Sequence, residues 1–149
     1  MDLPLSQERL PPPLYIMTTY LKTVTSPLEI HHQQIAAGLN IAPPVFDTNK
    51  TTYMVMQDLD EMCLADKYGP NPSNIPAWIW KQIHFILDAL LKKGNMEYID
   101  ITPYNFIEKD GTVWCIDYGH AYPYRGSIQN WFLKEMLEKK LKIWNPDFA

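Results

Sequence analysis

Asp100 and Asn105 stand five positions apart, and Asp117 follows twelve residues after Asn105. Two carboxylates and an amide oxygen brought together make a hard-oxygen site. Such donors suit magnesium, which keeps several of its waters and takes its remaining contacts from phosphates. A carboxylate beside that metal is also placed to orient a hydroxyl nucleophile. Plainer roles stand next to these. Asp117 can cap the loop that follows it, and Asp100 and Asn105 can serve only their own loop through hydrogen bonds.

Whether the three meet depends on the elements between them. Ile79, Ile83, Ile86, Leu87 and Leu90 recur at helical spacing and predict a long helix over residues 75–93. Lys92-Lys93 suits the carboxyl end of its dipole, and Gly94 ends it. Pro103 forbids a regular helix over 98–105, so that stretch is an irregular loop. Residues 106–108 and 113–116 read as two short strands around Asp110-Gly111, a β-hairpin. The hairpin folds the chain back and carries Asp117 towards Asp100 and Asn105. A second amphipathic helix is expected over 128–143, with Glu135/Lys139 and Glu138/Lys142 in the favoured order.

Upstream, residues 15–22 (YIMTTYLK) predict a strand. Ser26, Pro27 and Glu29 have the form of a capping box opening a helix that stops at Gly38. In that reading Glu29 either reaches back to the cap or pairs with a lysine. A short strand at 45–46, a turn over 47–51 and a buried strand over 52–59 follow. Residues 60–73, with the breaker Tyr68-Gly69-Pro70-Asn71-Pro72, read as loop. His31-His32-Gln33-Gln34 reads as a solvated helix face, since adjacent helical positions point apart. His84 reads as structural, and the five tryptophans as mostly core and helix-packing residues.

Composition sets the outer limits. The 149 residues are 46% hydrophobic and 20% charged, which is one ordinary globular domain. A net charge of −4 argues against nucleic acid or an anionic membrane surface as partner. Cys63 and Cys115 lie far apart with no metal spacing and read as reduced thiols of an intracellular protein. No stretch approaches the ~20 apolar residues of a membrane span, and the first residues lack a signal peptide's apolar segment. Pro11-Pro12-Pro13 closes an extended arm over residues 1–14, expected to pack along the surface.

Taken together, Tyr98-Ile99-Asp100-Ile101-Thr102-Pro103-Tyr104-Asn105 and Asp117-Tyr118-Gly119 resemble the catalytic loop and metal-binding Asp-Phe-Gly of protein kinases. The long helix before the loop and the hairpin between Asn105 and Asp117 fit that family. The chain is also similar to compact kinase-like proteins of large DNA viruses. The resemblance spans about residues 15–125 and implies several roles. Asp100 would be the catalytic base, and Asn105 and Asp117 would hold Mg2+. Met56 would be the gatekeeper, with Gln57, Asp58 and Leu59 the hinge that meets the adenine of ATP. Glu29 would sit on the regulatory helix. The implied architecture is α/β (α+β), a reduced kinase-like fold. It would have a truncated N-lobe over 15–59 and a minimal helical C-lobe over 60–149.

The departures matter as much. No Gly-x-Gly occurs, so the phosphate-covering loop is missing. Tyr15-Ile16-Met17-Thr18 aligns best with the segment that carries the family's strand lysine, which places Thr18 there. Lys22 is one candidate substitute, four residues along the same strand, on the same face but about 13 Å away. Tyr98 and Ile99 replace the usual His and Arg. Thr102 replaces the lysine that contacts the transferred phosphate, and no Ala-Pro-Glu follows residue 119. Both of the family's lysines thus count as missing at their own positions. Each lost donor costs about 100- to 1000-fold in phosphoryl transfer. The expectation is therefore an impaired, pseudokinase-like protein with a residual Mg-nucleotide site or a regulatory protein-binding role, in the cytoplasm, including that of a host cell, or in a virion. One alternative is a minimal active phosphotransferase using Lys22. The other is a purely structural interaction module, which a partner or a second copy would cover.

Overall fold

The alternating apolar run YMVMQD lies in the centre of a sheet, where both its edges are paired. In the computed structural model, which describes residues 9–11 and 18–148, this strand is flanked on both sides. β1 (Thr18–Thr23), β2 (Val45–Thr48) and β3 (Tyr53–Asp58) form an antiparallel sheet in the order β1-β3-β2. The register sets Lys22 opposite Met54 and Thr18 opposite Asp58. A bulge between Val45 and Asp47 twists the β2 edge. The expected strand began at residue 15; residues 15–17, like Pro12 and Pro13, lie outside the described residues.

α1 (Pro27–Gly38) starts as its sequence dictates. The Ser26 hydroxyl accepts from the Leu28 N–H at 3.2 Å, and Pro27 occupies the first turn. Its inner face differs from expectation. His32 and Gln33 are buried, at 3% and 1% exposure, while His31 and Gln34 stay outside. Adjacent positions do point apart, but the helix is covered on more than one flank, so two of the four polar residues turn inward. Ile30 joins Val24, Met54 and Met56 in a small apolar cluster between α1 and the sheet.

The larger core is organised by α3 (Ala77–Lys92). Ile79, Ile83, Ile86, Leu87 and Leu90 form one stripe and are all buried. The hairpin β5 (Phe106–Lys109) and β6 (Thr112–Cys115), the C-terminal end of α1 and α4 (Trp131–Lys139) pack on it. Gln82 of α3 clamps the hairpin: its amide donates to the Gly111 carbonyl and accepts from the Val113 N–H, both at 2.8 Å. A two-stranded ladder pairs β4 (Met96–Glu97) with β7 (Tyr122–Pro123).

Several boundaries correct the sequence reading. Residues 60–73 hold the short helix α2 (Leu64–Tyr68) and a 3-10 turn, Pro72–Asn74. α4 starts at Trp131 rather than 128 and ends at Lys139, so Lys142 lies beyond it; Glu135 and Lys139 do pair at 2.8 Å. Trp80, Trp114 and Trp144 are buried, whereas Trp78 and Trp131 are largely exposed. Among the described residues no helix is long and apolar enough to cross a membrane.

The arm packs on the surface where it is described. Arg9 donates to the carbonyls of Asn40 and Val113 and lies over the Trp114 ring, 5.2 Å from its centroid. Burial lowers its pKa to about 10.

Candidate functional site

A cleft of about 430 Å³ opens between the three-stranded sheet and the hairpin. Tyr20 and Lys22 line it from β1, and Met56 and Gln57 from β3. Asp58 and Leu59 continue that wall, while Ile107 and Ile116 lie opposite. Asn105 and Asp117 line the same space. A mostly apolar cleft with a few convergent polar groups has the size and make-up of a small-ligand site.

Lys22 occupies the inner wall. Its ammonium lies 2.5 Å from Glu29 Oε2 and 3.4 Å from Asp117 Oδ1. Burial pulls its pKa down, but the bond to Glu29 and the charge of Asp117 outweigh that, and the pKa is raised. Glu29 therefore serves the lysine rather than the capping box, in which it would reach back to Ser26. Thr18, where alignment placed the lysine, sits at the other end of β1 and donates to the Asp58 carbonyl at 3.1 Å. The reason is register: Thr18 pairs with Asp58, while the four-residue offset carries Lys22 to the end of the strand that leads into α1.

Asp117 leaves the hairpin with a left-handed backbone, φ 62°. Aspartate adopts this region more readily than most residues, as Asp60 and Asp110 also do in this chain, and here it turns the chain out of the hairpin. Its Oδ1 accepts from the Gly119 N–H at 3.2 Å as well as from Lys22. Both contacts fall on Oδ1. Gly119 sits close against two carboxylates of the site. A Cβ there would lie 3.3 Å from both Asp117 Oδ1 and Glu29 Oε1.

The loop over 98–105 is held by its own chemistry. Tyr98, in the position expected for His, is fully buried and donates from its hydroxyl to the Ile116 carbonyl at 2.7 Å. Tyr118 donates to the Cys115 carbonyl at 3.2 Å, and the two rings meet edge-on at 5.2 Å. These tyrosines tie the loop to the strand that delivers Asp117. Asn105 donates from Nδ2 to the Asp100 carbonyl at 2.9 Å, which leaves its Oδ1 for other work. Asp100 is buried, and its Oδ2 lies 3.2 Å from His120 Nδ1. Burial raises the Asp100 pKa, the His120 bond offsets part of that, and the negative charge of Asp117 adds to it.

Each carboxylate of the site thus has a cationic or hydrogen-bonding partner, Lys22 for Asp117 and His120 for Asp100. Asn105 Oδ1 and the second Asp117 oxygen are hard donors on one cleft, the kind of sparse protein set magnesium accepts when waters and phosphates complete it. Among the described residues no group of three or more His, Cys, Asp or Glu forms a self-sufficient metal cage. Cys63 and Cys115 are free thiols, and burial pushes Cys115 up to about 12, which makes it inert.

Two further contacts had no clear signal in the sequence. Lys109 of β5 donates to the Leu59 carbonyl, bracing the cleft wall across a gap of 50 residues. The Gln57 N–H donates to the Pro44 carbonyl at 3.0 Å, which fixes the next residue of that wall. Scanned against protein-family models and against curated proteins, the chain matches neither.

Proposed function

We propose that this cleft binds Mg-ATP on a reduced protein-kinase-like framework and that the protein transfers phosphate slowly if at all, acting mainly as a pseudokinase-like regulator. The observation that carries the reading is Lys22. One ammonium is held between a helix carboxylate, Glu29, and the carboxylate that follows the hairpin, Asp117, on the wall of a nucleotide-sized cleft. An ammonium so placed neutralises phosphate charge. Asn105 and Asp117 would hold the Mg2+, Gln57, Asp58 and Leu59 would meet the base, and Asp100 would face an acceptor hydroxyl.

Lys22 reduces the number of missing phosphate donors. Two lysines and a glycine loop counted as lost from sequence; with Lys22 serving Glu29, one lysine position, Thr102, and the loop remain. At about 100- to 1000-fold per missing donor, turnover is still depressed by several orders of magnitude. The active-phosphotransferase reading draws on His120, whose bond to Asp100 holds that carboxylate in place. The interaction-module reading draws on the outer edge strand β1, where Leu21, on the face away from the cleft, is 62% exposed.

The test is thermal stability against ATP, with and without Mg2+. A magnesium-dependent rise that Asp117→Asn abolishes supports the site. If binding holds, phosphate release decides between slow and absent turnover, and Asp100→Ala must remove whatever turnover exists.

A further inference from the structure

Residues 98–105 contain neither helix nor strand, so each buried carbonyl there needs its own donor. The Ile99 carbonyl accepts from the Ile101 N–H at 2.8 Å and from Asn145 Nδ2 at 2.9 Å. The Asp100 carbonyl accepts from the Thr102 N–H at 3.0 Å and from Asn105 Nδ2 at 2.9 Å. The Ile101 carbonyl accepts from the Asn145 N–H at 2.9 Å. Asn145 therefore grips the carbonyls on both sides of Asp100, from more than 40 residues away.

Asn145 is fully buried, and its amide cannot be turned over. A carbonyl only accepts, so the side facing Ile99 is Nδ2. Its Oδ1 accepts in turn from the Asp147 N–H at 3.0 Å. The preceding residue is the anchor: Trp144 packs 4.5 Å from the Trp80 ring of α3 and stacks on Phe106. An apolar residue would fill this volume at lower desolvation cost. The amide instead spends its Nδ2 on the loop around Asp100, while its Oδ1 holds the Asp147 N–H of its own segment.

We infer that Asn145 is a positioning residue for the candidate site: it fixes the peptides around Asp100 and, through the Asp100 carbonyl, the amide plane of Asn105. The chain of contacts is short. Holding residues 99 and 101 holds the carbonyl between them, and that carbonyl orients Asn105 Nδ2, so the opposite atom, Oδ1, is aimed as well. The inference rests on the Mg-nucleotide reading for its consequence, not for its geometry.

The test uses the full chain as wild type, Asn145→Ala and the milder Asn145→Ser. Amide hydrogen exchange is measured residue by residue, and ATP binding is measured by calorimetry with Mg2+ and with a chelator. In Asn145→Ala the Ile101, Thr102 and Asn105 amides should exchange about tenfold faster or more, with a much smaller change along α3. The magnesium-dependent gain in ATP affinity should fall about five- to tenfold, while metal-free affinity stays within about twofold. Asn145→Ser should fall between, and it replaces the alanine variant should that one not fold. Exchange that rises equally everywhere, or nowhere, overturns the inference. So does an unchanged magnesium gain. A wild type without any magnesium gain overturns the nucleotide reading alone, and the exchange pattern then decides the brace by itself.

Discussion

Lys22 holds Glu29 and Asp117 together, and Glu29 is nearly buried while the lysine is about three-quarters so. Lys22→Met should therefore leave a desolvated carboxylate without its cation. A loss of about 1–3 kcal/mol in urea unfolding is expected, below the full penalty of a deeply buried pair because the site is partly wet. Retained stability would place the pair among exposed bridges that contribute little. The sign of the pH dependence follows from the raised Lys22 pKa. The stabilisation is fully present below the ordinary value of 10.5 and is lost as pH climbs through the raised value. Wild type should thus weaken in alkali by a component that Lys22→Met lacks, measured by unfolding from about pH 8 to pH 12. The lysine was legible in sequence only as a second choice. Residue type and alternation gave the strand, but which end of it meets α1 is set by the pairing of β1 with β3, a contact across more than 30 residues.

At the scale of elements, short range decided what sequence could show. The stripe of α3 and the Asp110-Gly111 hairpin are local patterns, and both stand where they were expected. The β4–β7 ladder is only two residues a side and depends on a partner 27 positions away, so no local pattern marks it. α4 begins late because Glu97 captures the chain before it. This buried carboxylate accepts from the Gln129 and Asn130 N–H groups and from the Tyr122 hydroxyl, and Asn130 then caps the helix at the Leu133 N–H. Glu97→Gln keeps the shape but exchanges one acceptor for a donor, and should cost about 2–3 kcal/mol with fraying of α4. Circular dichroism and urea melts read both effects. The helix also ends early, because Lys140 takes a left-handed backbone at φ 51°. Glycine has no Cβ penalty there, so Lys140→Gly should stabilise by up to about 1 kcal/mol. A destabilised variant would mean that the lysine side chain, not the backbone, sets that end.

At the scale of the molecule, the site exists because several parts converge on it. The sheet and α1 supply Lys22 and Glu29, and the hairpin supplies Asp117. The loop after α3 supplies Asp100 and Asn105, with Trp144 and Asn145 packed behind it. The spacing of Asp100, Asn105 and Asp117 was visible in sequence because one loop and one hairpin join them. The bracing by Asn145, Lys109 and the two buried tyrosines was not, since each is a single side chain reaching a distant backbone carbonyl. Conversely, the absence of any Gly-x-Gly was plain from sequence, since it needs no contact to be seen. The central claim is that Lys22, Asn105 and Asp117 form one Mg-nucleotide site. The measurement that meets it most directly is a thermal-stability titration with ATP, run with Mg2+ and with a chelator, on wild type and Asp117→Asn. The account predicts a rise in Tm that needs both ATP and Mg2+ and disappears in the variant. No rise at about millimolar ATP, or an equal rise in Asp117→Asn, would contradict it.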